Sequence, residues 1–241
     1  MSKLKELLTK IDTQKQENFS INFEQRCLFI FHSFLHAGYT TTLLEVENTL
    51  NLKNTSNDRS TLCELSDVQQ MICGFDDAIS YMLNIASKKP LELSESMIKH
   101  LHHLIFSYTL TPPNDDYRTF SYRDEKTGFP SPKPEDLPHV MSHLSDQFFS
   151  SLTTLHPVEL AAMMTKRVLD IQAFPDGNTL LAILMTNLIL CSYGYPMISI
   201  SPSKQEEFSN TLTTTRTEYD MEPFSIFVAE CLLYEKIVSE P

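Results

Sequence analysis

Gln172-Ala173-Phe174-Pro175-Asp176-Gly177-Asn178-Thr179-Leu180 separates two long apolar patterns. Before it, His156 to Gln172 carries apolar residues at helical spacing, and after it so does Asn178 to Ser192. Between them, Pro175-Asp176-Gly177-Asn178 is turn chemistry. A turn that opens a helix presents backbone N–H groups with no partner inside the helix, and these suit an anion or a phosphate. Gln172 stands where such a loop would offer a general base, and a carboxamide cannot take up a proton. No Lys or Arg follows in the helix after the turn. The same residues also make an ordinary interhelical turn with an Asp at a helix cap.

Working outward, the chain of 241 residues has room for one generous domain or two small ones. Its hydrophobic content of 41% supports a packed core, and only 5 Gly with long Leu-, Met- and Glu-rich stretches favour helices. A net charge of −12 argues against a binder of nucleic-acid backbone, which needs clustered Lys and Arg. It leaves room for a nucleotide at one local site. The cysteines, Cys27, Cys63, Cys73, Cys191 and Cys231, are scattered and odd in number, which reads as reduced thiols in a cytoplasmic chain. Met1 to Asn18 is polar, with no signal-peptide pattern. The longest apolar run, Leu180 to Cys191, is too short to span a bilayer and reads as a buried helix. No membrane partner is expected.

The remaining segments read mostly as helices. Residues 1–20 have a weak period and suggest a loosely docked helix. Phe23 to His36 is a helix ending near Gly38, and Thr40 to Leu52 a second, short one. Asn51 to Ser60 is a polar loop. Ser66 caps a helix through Leu83, and Ser94 caps another reaching Leu110. Thr111 to Pro138 holds Pro112, Pro113, Pro130, Pro132, Pro134 and Pro138, so no long helix fits. It reads as a short exposed hairpin around Tyr117 to Phe129 and an extended arm, the composition of a functional flap. Helices then run to Phe149, through the two patterns flanking the loop, and from Ser203 to Tyr219 and Glu222 to Val238. Gly194-Tyr195-Pro196 ends the helix after the loop. The fold expected is all-α, roughly six to nine helices with one small β-hairpin flap. His32 with His36, and His139 with His143, have the spacing of helix-borne metal pairs, but surface histidines at that spacing are commoner. His156 reads as a capping or surface residue, and Lys166 and Arg167 as a solvated helix face.

From about Thr40 onward the order of features resembles the Fic (Fido) family of protein adenylyltransferases. That family's signature is H-P-F-x-D/E-G-N-G-R-x-x-R between two helices. Gln172 stands at the His, Ala173 at the Pro and Phe174 at the Phe, while Asp176, Gly177 and Asn178 match. Thr179 replaces the second Gly, Leu180 the first Arg and Ile183 the last Arg. His156-Pro157-Val158-Glu159-Leu160 is similar to the start of the family's preceding helix, and Asp116-Tyr117-Arg118 and Phe129-Pro130 to the ends of its flap. Thr42 to Leu50 resembles its inhibitory helix, with Glu45 or Glu47 as the inhibitory Glu.

The resemblance implies residues 1–40 as an N-terminal helical extension and 41–241 as a Fic-like helical bundle. It implies a site in which Gln172 replaces the catalytic His, Asp176 holds Mg²⁺, and Gly177, Asn178 and Thr179 bind the anion. Tyr117, Arg118 and Phe129 would belong to the flap. The cofactor it implies is ATP or another nucleotide with Mg²⁺, and the partner another protein at the flap groove. Loss of the base, the Gly and both Arg together points to a catalytically degenerate protein acting by protein binding or weak nucleotide binding. The alternative is an active nucleotidyl- or phosphate-group transferase that modifies a protein hydroxyl by altered chemistry. A cytoplasmic site of action is expected, and export into another cell is left open.

Overall fold

The computed structural model describes residues 2–13, 15, 20–56, 59–88, 90–110, 116–124, 128–234 and 236–237. Among them are eleven α-helices: α1 (Lys3–Asp12), α2 (Phe23–His36), α3 (Leu43–Thr55), α4 (Arg59–Cys63), α5 (Asp67–Ala86), α6 (Glu95–Ile105), α7 (Leu137–Ser151), α8 (Pro157–Ile171), α9 (Asn178–Ser192), α10 (Gln205–Glu218) and α11 (Glu222–Tyr234). The architecture is all-α. None of these helices is long and apolar enough to cross a membrane.

α9 is the axle of the bundle. Every residue of it except Thr179 is buried, as a helix apolar on all sides must be. α8 packs along it more extensively than any other pair, and α2, α5 and α6 close the remaining sides. Between α8 and α9 the contact is polar where the buried Thr165 and Thr186 hydroxyls are 2.5 Å apart. α9 ends at Ser192, and Gly194, with a φ of 84°, lets Tyr195 N–H reach back to the Leu190 carbonyl at 3.0 Å.

The caps expected from the sequence are present. Ser66 and Gln69 form a capping box on α5, and Ser94 accepts from Met97 N–H on α6. His156 caps α8 through Nδ1, with Glu159 completing the box.

Several expectations are corrected. α1 is firmly docked: Leu4, Leu7 and Ile11 are buried against α11, and Asp12 accepts from Tyr195 Oη at 2.6 Å. α3 continues to Thr55, past its polar residues, because Lys53 is drawn in by Asp76 (2.7 Å), Asp77 (2.5 Å) and the Cys73 carbonyl (2.9 Å). α6 stops at Ile105, where the Ser107 and Thr109 hydroxyls take the Leu104 and Phe106 carbonyls. Lys166 is not solvated but bonds Asp170 at 2.5 Å. α11 stops at Tyr234, and Lys236–Ile237 (β2) pairs antiparallel with Met197–Ile198 (β1), a ladder the sequence did not suggest.

The expected hairpin is reduced. Residues 111–115 and 125–127 lie outside the described part, and with them part of the flap expectation. What is described is one antiparallel bridge, Arg123 with Pro130, supported by Asp124 N–H to Phe129 carbonyl at 2.9 Å. Pro130 and Pro132 cannot donate to a ladder, so no strand forms in the described flap.

Candidate functional site

The loop between α8 and α9 is built by backbone capture. Gln172 has φ 47° and ψ 56°, a left-handed conformation that costs a non-glycine residue roughly 1–2 kcal/mol. Three bonds hold it there. Its N–H donates to Val168 O (3.0 Å), its carbonyl accepts from Arg118 Nε (2.6 Å), and its side-chain Nε2 donates to Leu169 O (3.0 Å). The carboxamide is thus folded back on the end of its own helix.

Arg118 is 2% exposed and, among the described residues, its guanidinium meets only backbone oxygens: Gln172, Phe120 (2.5 Å), Pro132 (2.6 Å) and Ile171 (3.3 Å). Its own N–H donates to Ala173 O at 2.9 Å. Burial lowers its pKa, and the negative end of the α8 dipole favours a cation at this spot. The flap is thereby tied to the loop. Arg216 of α10 ties its other end, bonding Asp170 Oδ1 (2.6 Å) and Asp124 Oδ2 (3.3 Å) beneath the Phe129 ring, whose centroid is 5.0 Å away.

Phe174 is buried and stacked on His102, with ring centroids 3.9 Å apart and planes at 10°. His102 Nε2 donates to the Asp176 carbonyl at 3.0 Å. Asn178 closes the loop: its Oδ1 accepts from Phe174 N–H (3.0 Å) and its Nδ2 donates to Phe174 O (2.8 Å). Gly177 is required twice over. Its φ is 74°, and a Cβ there would lie 2.7 Å and 2.9 Å from the Phe106 ring.

A cleft of about 190 Å³ opens over this loop, lined by Gln172, Pro175, Asp176, Gly177, Asn178 and Thr179, with Tyr122 of the flap and Ala37 and Tyr39 beyond the end of α2. Asp176 sits exposed at its mouth. Its Oδ1 accepts two hydrogen bonds, from Gly177 N–H (2.6 Å) and from Tyr39 Oη (2.8 Å). Burial, and then the Asp176 charge, raise the Tyr39 pKa, so the hydroxyl remains a donor. Among the described residues no Lys, Arg or His lines the cleft.

The candidates from the sequence fall in different places. Gln172, Asp176, Gly177, Asn178 and Thr179 come together at the cleft. Leu180 is fully buried and Ile183 8% exposed; both belong to the core and do not line the cleft, so its walls are polar rather than apolar. Tyr117 turns to α6, where its hydroxyl donates to Glu95 at 2.6 Å. Glu45 accepts from Thr41 Oγ1 at 3.0 Å, and neither it nor Glu47 lines the cleft. His139 and His143 do meet, Nε2 to Nε2 at 3.1 Å, but no group of three possible ligands stands together among the described residues. Tyr39, His102 and Arg216 were not singled out from the sequence. Gly38 signalled the end of α2, but nothing local says where the next side chain points.

Residues 92–190 match the Fic/DOC family model. Among curated proteins, the protein adenylyltransferase Fic of Drosophila willistoni is 28% identical over 205 residues, covering 84% of this chain and 39% of that protein. Its namesake from Nematostella vectensis is 27% identical over 237 residues, covering 94% and 54%. The chain therefore spans between two fifths and just over half of the length of these relatives. Among solved structures, a Fic domain containing signaling protein from Bacteroides thetaiotaomicron superposes with a TM-score of 0.78 at 24% identity, covering 97% of this chain and 95% of that one. Fic-1 from C. elegans gives 0.75 at 20% identity, covering 95% and 67%. These likenesses carry the fold. With the family match running from α6 into α9 across the loop they enclose, residues 92–190 of this chain form a Fic/DOC-family domain.

Proposed function

We propose that this chain is a Fic-fold protein that does not transfer adenylyl groups and acts by binding another protein along its flap. The observation that carries this reading is Gln172. It occupies the position of a proton acceptor, has none to offer, and spends its side chain on the Leu169 carbonyl. A general base is typically worth about 10²–10⁴-fold in rate. The cleft supports the same conclusion on electrostatic grounds. Transfer from a polyphosphate builds negative charge that cations must stabilise, and no cationic side chain lines this cleft among the described residues.

Mg²⁺-ATP fits the residues poorly. Small-molecule sites run to roughly 300–1,000 Å³, against about 190 Å³ here. The one carboxylate that would hold Mg²⁺ already accepts two bonds on Oδ1. The loop is kept because it is structural: Asn178, His102 and Arg118 all fasten to its backbone. Binding through the flap is supported by two exposed apolar side chains, Phe120 in the flap and Leu110 at the end of the segment before it, 49% and 69% exposed.

A second reading, an active transferase using altered chemistry, is favoured by the name of the curated relatives and by Asp176 at the cleft mouth. Incubation with ATP, CTP or UTP labelled on the α-phosphate, or with CDP-choline labelled on the choline moiety and, separately, on the α-phosphate, with Mg²⁺ and lysate proteins as acceptors, separates the two. No label should enter any protein. Labelling that an Asp176→Ala change abolishes would favour the transferase.

A further inference from the structure

We propose that Tyr39 is a stopper that closes the cleft to divalent cations and to nucleoside triphosphates. The inference rests on the reading of the cleft given above, and it is tested by binding rather than by transfer, so either can fail alone.

Tyr39 is held from three directions. α2 ends at His36, and Gly38, with φ 88°, turns the chain so that Tyr39 N–H donates to the Phe34 carbonyl at 3.0 Å. Its ring packs on Phe34 with centroids 5.5 Å apart, and Phe34 is itself fully buried edge-on against Phe75. Its hydroxyl then reaches Asp176 Oδ1 at 2.8 Å, across 137 positions of sequence. A side chain fixed by backbone, ring and hydroxyl is not a surface rotamer that happens to lie nearby.

The chemistry of that contact is exclusion. Mg²⁺ binds carboxylate oxygen at roughly 2.0–2.1 Å and demands near-octahedral room. Asp176 Oδ1 has its lone pairs engaged by Tyr39 and by Gly177 N–H. A cation held by that oxygen, alone or chelated together with Oδ2, must displace the phenol. The burial that raises the Tyr39 pKa keeps its proton in place, so the contact stays a neutral donor on a carboxylate at ordinary pH. The ring also forms one wall of the cavity, whose small volume it helps to set. Glu45 does not serve this purpose, since it is bonded to Thr41 and lies outside the cleft.

The test uses the full chain, with Tyr39→Phe, Tyr39→Ala, and each combined with Asp176→Asn. Mn²⁺ binding is read by electron paramagnetic resonance, Mg²⁺-ATP binding by calorimetry, and folding by the thermal transition. Tyr39→Phe, which removes only the hydroxyl, should tighten Mn²⁺ binding at least about tenfold over wild type. Tyr39→Ala should do the same and also gain measurable Mg²⁺-ATP binding, and Asp176→Asn should remove both gains. Wild-type protein that binds Mn²⁺ as tightly as the variants would overturn the proposal, as would a folded Tyr39→Phe that gains nothing. Should Tyr39→Ala fail to fold, Tyr39→Phe decides alone. A gain in binding that survives Asp176→Asn would also overturn it.

Discussion

Arg118 Nε lies 2.6 Å from the carbonyl oxygen of Gln172, and through this bond the flap and the motif loop form one mechanical unit. Among the described residues the guanidinium faces no carboxylate. It is neutralised by the carbonyl end of α8 and by two carbonyls of the flap itself, a use of the helix dipole rather than of an ion pair.

Arg118→Ala should therefore cost roughly 2–4 kcal/mol, because several buried carbonyls lose their donor at once. Urea denaturation measures the loss, and limited proteolysis should show faster cleavage in the flap. Arg118→Lys should recover little of it, since an ammonium cannot fork to carbonyls on both sides. A Lys variant as stable as wild type would show that charge alone suffices.

Gly177→Ala should destabilise by roughly 1–3 kcal/mol, through positive φ and overlap with the Phe106 ring. Coupling with Phe106→Leu in a double-mutant cycle separates the two causes. Relief by the smaller side chain identifies the steric part, and no relief assigns the whole cost to backbone.

Leu180→Arg and Ile183→Arg, which restore the family's residues, should differ. Leu180 is fully buried, so an unpaired guanidinium there should cost roughly 3–5 kcal/mol. Ile183, at 8% exposure, lies nearer an edge and should cost less. Thermal unfolding of the two single variants ranks them. Equal loss would mean that this end of α9 reorganises around a charge.

Asp12 links α1 to the core. Its burial alone would raise its pKa, but hydrogen bonds from Tyr195, Lys15 and His156 outweigh that and lower it from 3.8 to about 2. A depressed carboxyl pKa contributes stability that is present above the unfolded value and lost as pH falls through the folded one. The contribution should disappear between about pH 4 and pH 2. The side chain is 47% exposed, so solvent screening keeps the effect small. Comparing wild type with Asp12→Asn across that window should show their unfolding midpoints converging as the pH drops. A constant gap would contradict the link.

Helices and their caps could be read from the residues because they are local: Ser66, Ser94 and the bounds of α9 follow from neighbours along the chain. The loop could be read for the same reason, its turn chemistry being contained in Pro175 to Asn178. What escaped was set by tertiary approach. The contact of Tyr39 with Asp176 and the capture of the Gln172 carbonyl by Arg118 depend on segments far apart in sequence. The β1–β2 ladder has two residues per strand, too few to carry a period.

On the function proposed above, this cleft lacks the means to transfer an adenylyl group. Intact-protein mass spectrometry tests it most directly, after long incubation of wild type, Gln172→His and Asp176→Ala with ATP and Mg²⁺. The masses of all three should stay unchanged, because among the described residues a restored imidazole still meets no cationic side chain to hold the phosphates. Addition of one adenylyl group to the wild-type chain, absent in Asp176→Ala, would contradict it.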